Sequence, residues 1–68
     1  MQMVIAPALP ADGGTYTASG EVQRVFDTNG LGVLLPVPFS RIDGRTFRLK
    51  NGSPYGKVYA EIATTAYD

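Results

Sequence analysis

The sequence predicts an all-β fold, a small antiparallel meander barrel or sandwich of four or five short strands carrying an extended N-terminal arm. Three observations lead there. Apolar and polar residues alternate with period two in several segments, clusters of Gly, Asn, Asp and Pro punctuate those segments at short intervals, and no long stretch holds an uninterrupted helical period. The chain has 68 residues, of which 44% are hydrophobic, with 8 Gly, 5 Pro and no Cys or His. No internal repeat and no linker divides it, so one compact unit is expected, with residues 1–14 as the arm and 15–68 as a single small β domain.

Taken in order, Met1 to Ile5 is an apolar run that passes into Ala6-Pro7-Ala8-Leu9-Pro10. The two prolines interrupt any helical period, so an extended strand over about residues 2–6 is expected. Asp12-Gly13-Gly14 closes this stretch before a second strand over 15–26. The run lacks the basic start of a secretory signal, and nothing approaches the roughly 18 apolar residues that span a membrane. No membrane association is expected.

Asn29-Gly30 marks a tight turn before the third strand, over 31–41. With Thr28, Asn29 and Gly30 as loop, Val25 faces Val33 and Gln23 faces Leu35, while Val22, Phe26 and Leu34 share the opposite face. That segment of sheet then carries apolar residues on both sides, and a chain this short has little with which to cover both. Next, Ile42-Asp43-Gly44 suits a three-residue hairpin loop with Gly44 left-handed, which pairs Arg41 with Arg45, Phe39 with Phe47 and Val37 with Leu49. Leu35, Val37, Phe39, Phe47 and Leu49 then share the buried face, and Thr46, Arg48 and Lys50 the exposed one. Pro36 and Pro38 offer no N–H to a further strand, so this segment should lie at a sheet edge.

The fourth strand, over 45–50, ends at Asn51-Gly52-Ser53-Pro54-Tyr55-Gly56, a dense set of turn formers. Asn51-Gly52-Ser53 also fits a glycosylation acceptor, but Pro54 directly after it favours the turn. In the last segment, 57–65, Val58, Ala60, Ile62 and Thr64 alternate against Tyr59, Glu61, Ala63 and Thr65. This reads as a strand rather than as a helix with Tyr59, Ile62, Ala63 and Ala66 on one face.

The residue inventory argues against an enzyme. Without His or Cys the chain lacks the commonest general base, the thiolate nucleophile and the usual zinc ligands. The acidic residues are scattered, with Asp12, Asp27 and Asp43 read as capping residues of glycine-containing turns, and neither a phosphate-binding nor a dinucleotide motif is present. No catalytic residue, cofactor or metal site is expected. A domain of this size without disulfide or metal staples gains stability from a well-packed barrel or from association.

Two functional expectations follow, from different classes. The first is a non-enzymatic structural protein, a homo-oligomer or small subunit that decorates or stabilises a larger assembly such as a viral capsid, which would place it in the virion. Its interface would be the apolar arm, Met1, Met3, Val4, Ile5, Pro7, Leu9 and Pro10. The second is a binding module. Net charge is zero, with 6 basic and 6 acidic residues, yet Arg41, Arg45, Arg48, Lys50 and Lys57 fall in one segment that contains Asp43 alone among acids. With Tyr55 to stack on bases, that hairpin could engage nucleic acid or an acidic protein.

Overall fold

The computed structural model describes residues 2–29, 31–51 and 56–64. Eight short strands, β1 (Gln2–Pro7), β2 (Leu9–Pro10), β3 (Thr15–Thr17), β4 (Glu21–Thr28), β5 (Leu34–Pro36), β6 (Phe39–Arg41), β7 (Thr46–Leu49) and β8 (Val58–Thr64), build two antiparallel sheets. One has the order β1-β8-β4-β5 and the other β2-β3-β7-β6. No α-helix occurs among the described residues. The all-β class is as the sequence predicts, and residues 58–64 form a strand rather than a helix.

Several expected strands are divided because the chain turns from one sheet into the other. Residues 2–10 give β1 and β2 with the corner at Ala8, residues 15–28 give β3 and β4 with the corner at 18–20, and residues 34–41 give β5 and β6 with the corner at 37–38. Such bends let one strand line two sheets around a single core. A backbone donor at or beside each corner is paired. Ala8 N–H donates to Val58 C=O at 2.9 Å, Ala18 N–H to Arg45 C=O at 2.8 Å, Val22 N–H to Gly44 C=O at 2.8 Å and Val37 N–H to Val25 C=O at 3.0 Å. Small side chains stand at two corners, Ala8 and Ala18, both buried. The N-terminal stretch is extended, as expected, and lies along its own chain: β1 pairs with β8 from Gln2–Thr64 to Pro7–Tyr59, and β2 pairs with β3.

Three expected registers differ from the observed ones. In the β6–β7 hairpin Phe39 pairs with Leu49 and Arg41 with Phe47, two residues away from the expected pairing of Arg41 with Arg45. The cause is Asp43, whose Oδ1 accepts from the N–H groups of Arg45 (2.8 Å) and Thr46 (2.9 Å). This side-chain cap holds a wider loop, and Gly44 does not adopt the left-handed conformation. Because the shift is even, Phe39, Phe47 and Leu49 keep their common face, whereas Leu35, expected to be buried with them, lies in β5 of the other sheet and is exposed.

In the β4–β5 hairpin Asp27 pairs with Leu35 and Phe26 with Pro36, four residues from the expected pairing of Val25 with Val33. Here Asn29 Oδ1 accepts from Leu31 N–H (2.8 Å) and Val33 N–H (3.0 Å), while Gly32, at φ 83°, supplies the left-handed residue. The loop therefore follows Asn29 instead of being centred on it.

The third difference is a bulge in β4 between Val22 and Arg24. The extra residue rephases the strand, so that Val22 and Val25 point inward together, against the expectation of opposite faces. Both are fully buried or nearly so. As expected, Pro36 and Pro38 lie with β5 and β6 at sheet edges.

Phe47 is the centre of the core. It is completely buried, stacks on Tyr16 with ring centroids 5.6 Å apart and meets Phe39 edge-on at 5.8 Å. Val22, Val25, Val58, Ala60 and Ile62 from the other sheet complete the cluster. Truncation of Phe47→Ala is expected to cost about 3–5 kcal/mol, which would leave a domain this small barely folded. Urea unfolding checks this, and a loss below about 1 kcal/mol would show that the core is not organised around that ring.

Candidate functional site

The inner faces are fixed by β8, where Val58, Ala60 and Ile62 are buried. Tyr59, Glu61 and Ala63 therefore belong to the outer face of the β1-β8-β4-β5 sheet. The registers carry this across all four strands. Pro7 pairs with Tyr59, Tyr59 with Phe26 and Phe26 with Pro36, giving one row of two aromatic rings flanked by two prolines. The next row holds Ile5, Glu61 and Arg24, and the one beyond it Met3, Ala63 and Glu21. On the other side of the aromatic row Leu34 pairs with Thr28. Met3 (47% exposed), Ile5 (46%) and Leu34 (38%) are open to solvent.

The second sheet presents a different outer face. Thr15, Thr17, Thr46, Ser40 and Arg48 alternate there against Tyr16, Phe47 and Leu49, with Leu9 and, opposite Thr46 at the hairpin end, Ile42 as its exposed large apolar side chains among the described residues. One outer face is thus apolar and the other hydroxyl-rich. A folded monomer gains nothing from exposing the first.

An ion pair is set in the apolar face. Arg24 Nε donates to Glu61 Oε1 at 2.7 Å and its Nη2 to Oε2 at 3.2 Å, a two-point fork in which the Glu61 side chain is 14% exposed and the Arg24 side chain 69%. The hydrogen bonds from Arg24 hold the Glu61 carboxyl below its ordinary range, and Arg24 is raised in turn.

Of the residues expected at an assembly interface, Met3, Ile5 and Pro7 lie on this outer face. Val4 is on the inner side of the same edge strand and is 39% exposed. Leu9 and Pro10 belong to the other sheet. Pro10 and Pro7 help line an open, largely apolar groove of about 310 Å³ with Ala8, Tyr16 and Val58. Met1 lies outside the described residues. The expected interface therefore divides, and only its β1 portion joins the apolar face. The expectation that Phe26 and Leu34 share an apolar face agrees with their positions here, but sequence reading misses Pro36 and Tyr59 as members of that face. Alternation places Tyr59 opposite Val58 and Ala60, but the β4–β8 pairing that sets Phe26 beside it has no local signal.

The cations of the alternative site do not converge. Arg41 sits over the Phe39 ring, 5.8 Å from its centroid. Arg48 projects from the hydroxyl-rich face between Thr15 and Ser40, Arg45 is in the hairpin loop, and Lys50 follows β7. Lys57 precedes β8 in the other sheet, its N–H donating to Thr28 Oγ1 at 2.9 Å. Tyr55 lies outside the described residues. Asp43, capping the loop, is held below its ordinary pKa by the Arg45 backbone N–H and then by Thr46.

No group of three or more His, Cys, Asp or Glu that could hold a metal ion occurs among the described residues, and no helix there is long and apolar enough to cross a membrane. Comparison of the chain with protein-family models, with curated proteins and with solved structures gives no match in any of the three.

Asp43 and Glu61 both release their protons more readily in the folded chain than in the unfolded one, whose ordinary values are 3.8 and 4.5. Their contribution is therefore complete above about pH 5 and is lost as the pH falls through the ordinary values and then the lower folded ones. The urea midpoint should drop on acidification, and Asp43→Asn with Glu61→Gln, which keep the acceptor oxygens, should flatten that drop. An unchanged acid dependence in the double variant would show that other groups control it.

Proposed function

We propose that this chain is a non-enzymatic structural protein, a small subunit that decorates or stabilises a larger protein assembly such as a viral capsid, and that it docks through the outer face of the β1-β8-β4-β5 sheet. The observation that carries this reading is the row Pro7–Tyr59–Phe26–Pro36, which runs the full width of a sheet whose other face is already used for the core. Aromatic rings and prolines are rigid, so covering them releases water at little cost in side-chain entropy. Each Å² of apolar surface covered contributes about 25 cal/mol before the cost of association is subtracted. The Arg24–Glu61 pair supplies a polar landmark that fixes orientation.

The scattered cations weigh against a nucleic-acid surface, which needs basic groups aligned along a phosphate backbone. The two readings separate by salt. Raising ionic strength from 0.1 to 1 M shortens the screening length from about 10 Å to about 3 Å, which weakens phosphate contacts and spares apolar ones.

Light scattering should give a molar mass above the 7.3 kDa of one chain, holding at high salt. Leu34→Asp with Pro36→Asp, placed on the exposed end of the apolar face, should lower the association order while the circular dichroism of the β fold is retained. Arg45→Ala with Arg48→Ala should leave it unchanged. Loss of association in the arginine variant, or binding to a single-stranded oligonucleotide that this variant abolishes, would sink the proposal.

A further inference from the structure

Four strands end the two sheets, and they are not equally closed. β5 is three residues long, and the bonds from Val37 N–H to Val25 C=O and from Asn29 N–H to Val33 C=O set the alternation that turns Leu34 and Pro36 outward. Pro36 has no N–H to offer. β2 has two residues, one of them Pro10, and β6 is a three-residue strand that follows Pro38. β1 differs, with six residues, no charge and its proline only at the end.

The backbone of β1 can be assigned residue by residue. The bond from Ala8 N–H to Val58 C=O continues the β1–β8 register, so Ala6–Ala60 and Val4–Ile62 are hydrogen-bonded pairs by alternation. The N–H and C=O groups of Met3 and Ile5 therefore point away from β8, to the side where, among the described residues, the sheet ends. A long, uncharged and apolar open edge is a template for another strand.

We propose that this edge pairs antiparallel with β1 of a second copy of the chain, about a twofold axis at Val4. In that register Met3 N–H donates to Ile5 C=O of the second copy, Ile5 N–H to its Met3 C=O, and symmetry repeats both bonds. All outward groups of Met3 and Ile5 are satisfied, and the missing N–H of Pro7 lies outside the paired span. No charge on β1 and no net charge on the chain opposes the approach. Met3 and Ile5 meet their counterparts across the seam on the outer face, and Val4 meets Val4 beneath it. The two sheets become one of eight strands, so the apolar face is continuous across the pair. This rests on the assembly reading and makes a dimer its unit.

The chain has no cysteine, which allows a direct test on the full-length protein. Residues on the axis form a non-hydrogen-bonded pair with Cα atoms about 4.5 Å apart, within disulfide reach. Val4→Cys should oxidise almost wholly to a covalent dimer under conditions that leave Leu9→Cys, at an exposed position 66% open, mostly monomeric. Independently, N-methylation of Ile5 in chain made by chemical ligation removes an outward donor and leaves the β8 bonds intact. It should weaken self-association by about tenfold or more. An oligomer that neither cross-links at Val4 nor responds to the N-methyl group overturns the edge pairing and leaves docking through the outer face standing. Retained Val4 cross-linking with no effect of Leu34→Asp and Pro36→Asp does the reverse, and a monomer at every concentration overturns the pairing outright.

Discussion

Three segments of this chain leave one sheet and enter the other, and each crossing exposes backbone N–H groups that no ladder provides for. A buried amide without a partner costs as much as several ordinary contacts supply, so the corners decide whether so short a chain can enclose a core. The solution is mutual. The loop between β6 and β7, shaped by the Asp43 carboxylate, offers its Arg45 and Gly44 carbonyls to Ala18 and Val22 on either side of the central corner. A surface turn thereby acts as a strut for the interior. The bulge beside Val22 then rotates that side chain into the space between the sheets, where it packs with Val25 and Phe47.

With the interior filled from two sheets, the outer faces are free to differ. Threonine and serine dominate one, and they suit an exposed strand because their β carbons or hydroxyls tolerate water without leaving apolar area uncovered. The other gathers proline, aromatic and aliphatic residues from four strands that are far apart in sequence. The proposed docking would remove such a face from water.

Local pattern carried much of this. The alternation in residues 58–64 identifies a strand, the proline pair marks sheet edges, and the shared face of Phe39, Phe47 and Leu49 survives a register shift because the shift is even. What was not legible depends on geometry beyond the residue types. Asn29 and Asp43 both announce a reversal, but which N–H groups their side chains cap sets the loop length, and sequence does not fix that choice. The β4 bulge leaves no mark in the alternation until the partner strand is known. The candidate face was half visible: Met3 and Ile5 stood out as exposed apolar residues of the N-terminal stretch, while Phe26 and Tyr59 become neighbours only through a pairing between distant segments.

The position of β8 has a consequence for how the molecule forms. It is the latest strand in the sequence and yet lies between β1 and β4, with Gln2 opposite Thr64. The pairings that complete this sheet are therefore among the most non-local the chain can make, and closing such long loops precedes any reward from the contacts they bring. Until β8 is seated, β1 has no partner in its sheet, and a β8 from a neighbouring molecule offers β1 and β4 the same registers as the chain's own. Fast folding at low concentration favours the self-contained form, and crowded synthesis favours exchanged strands.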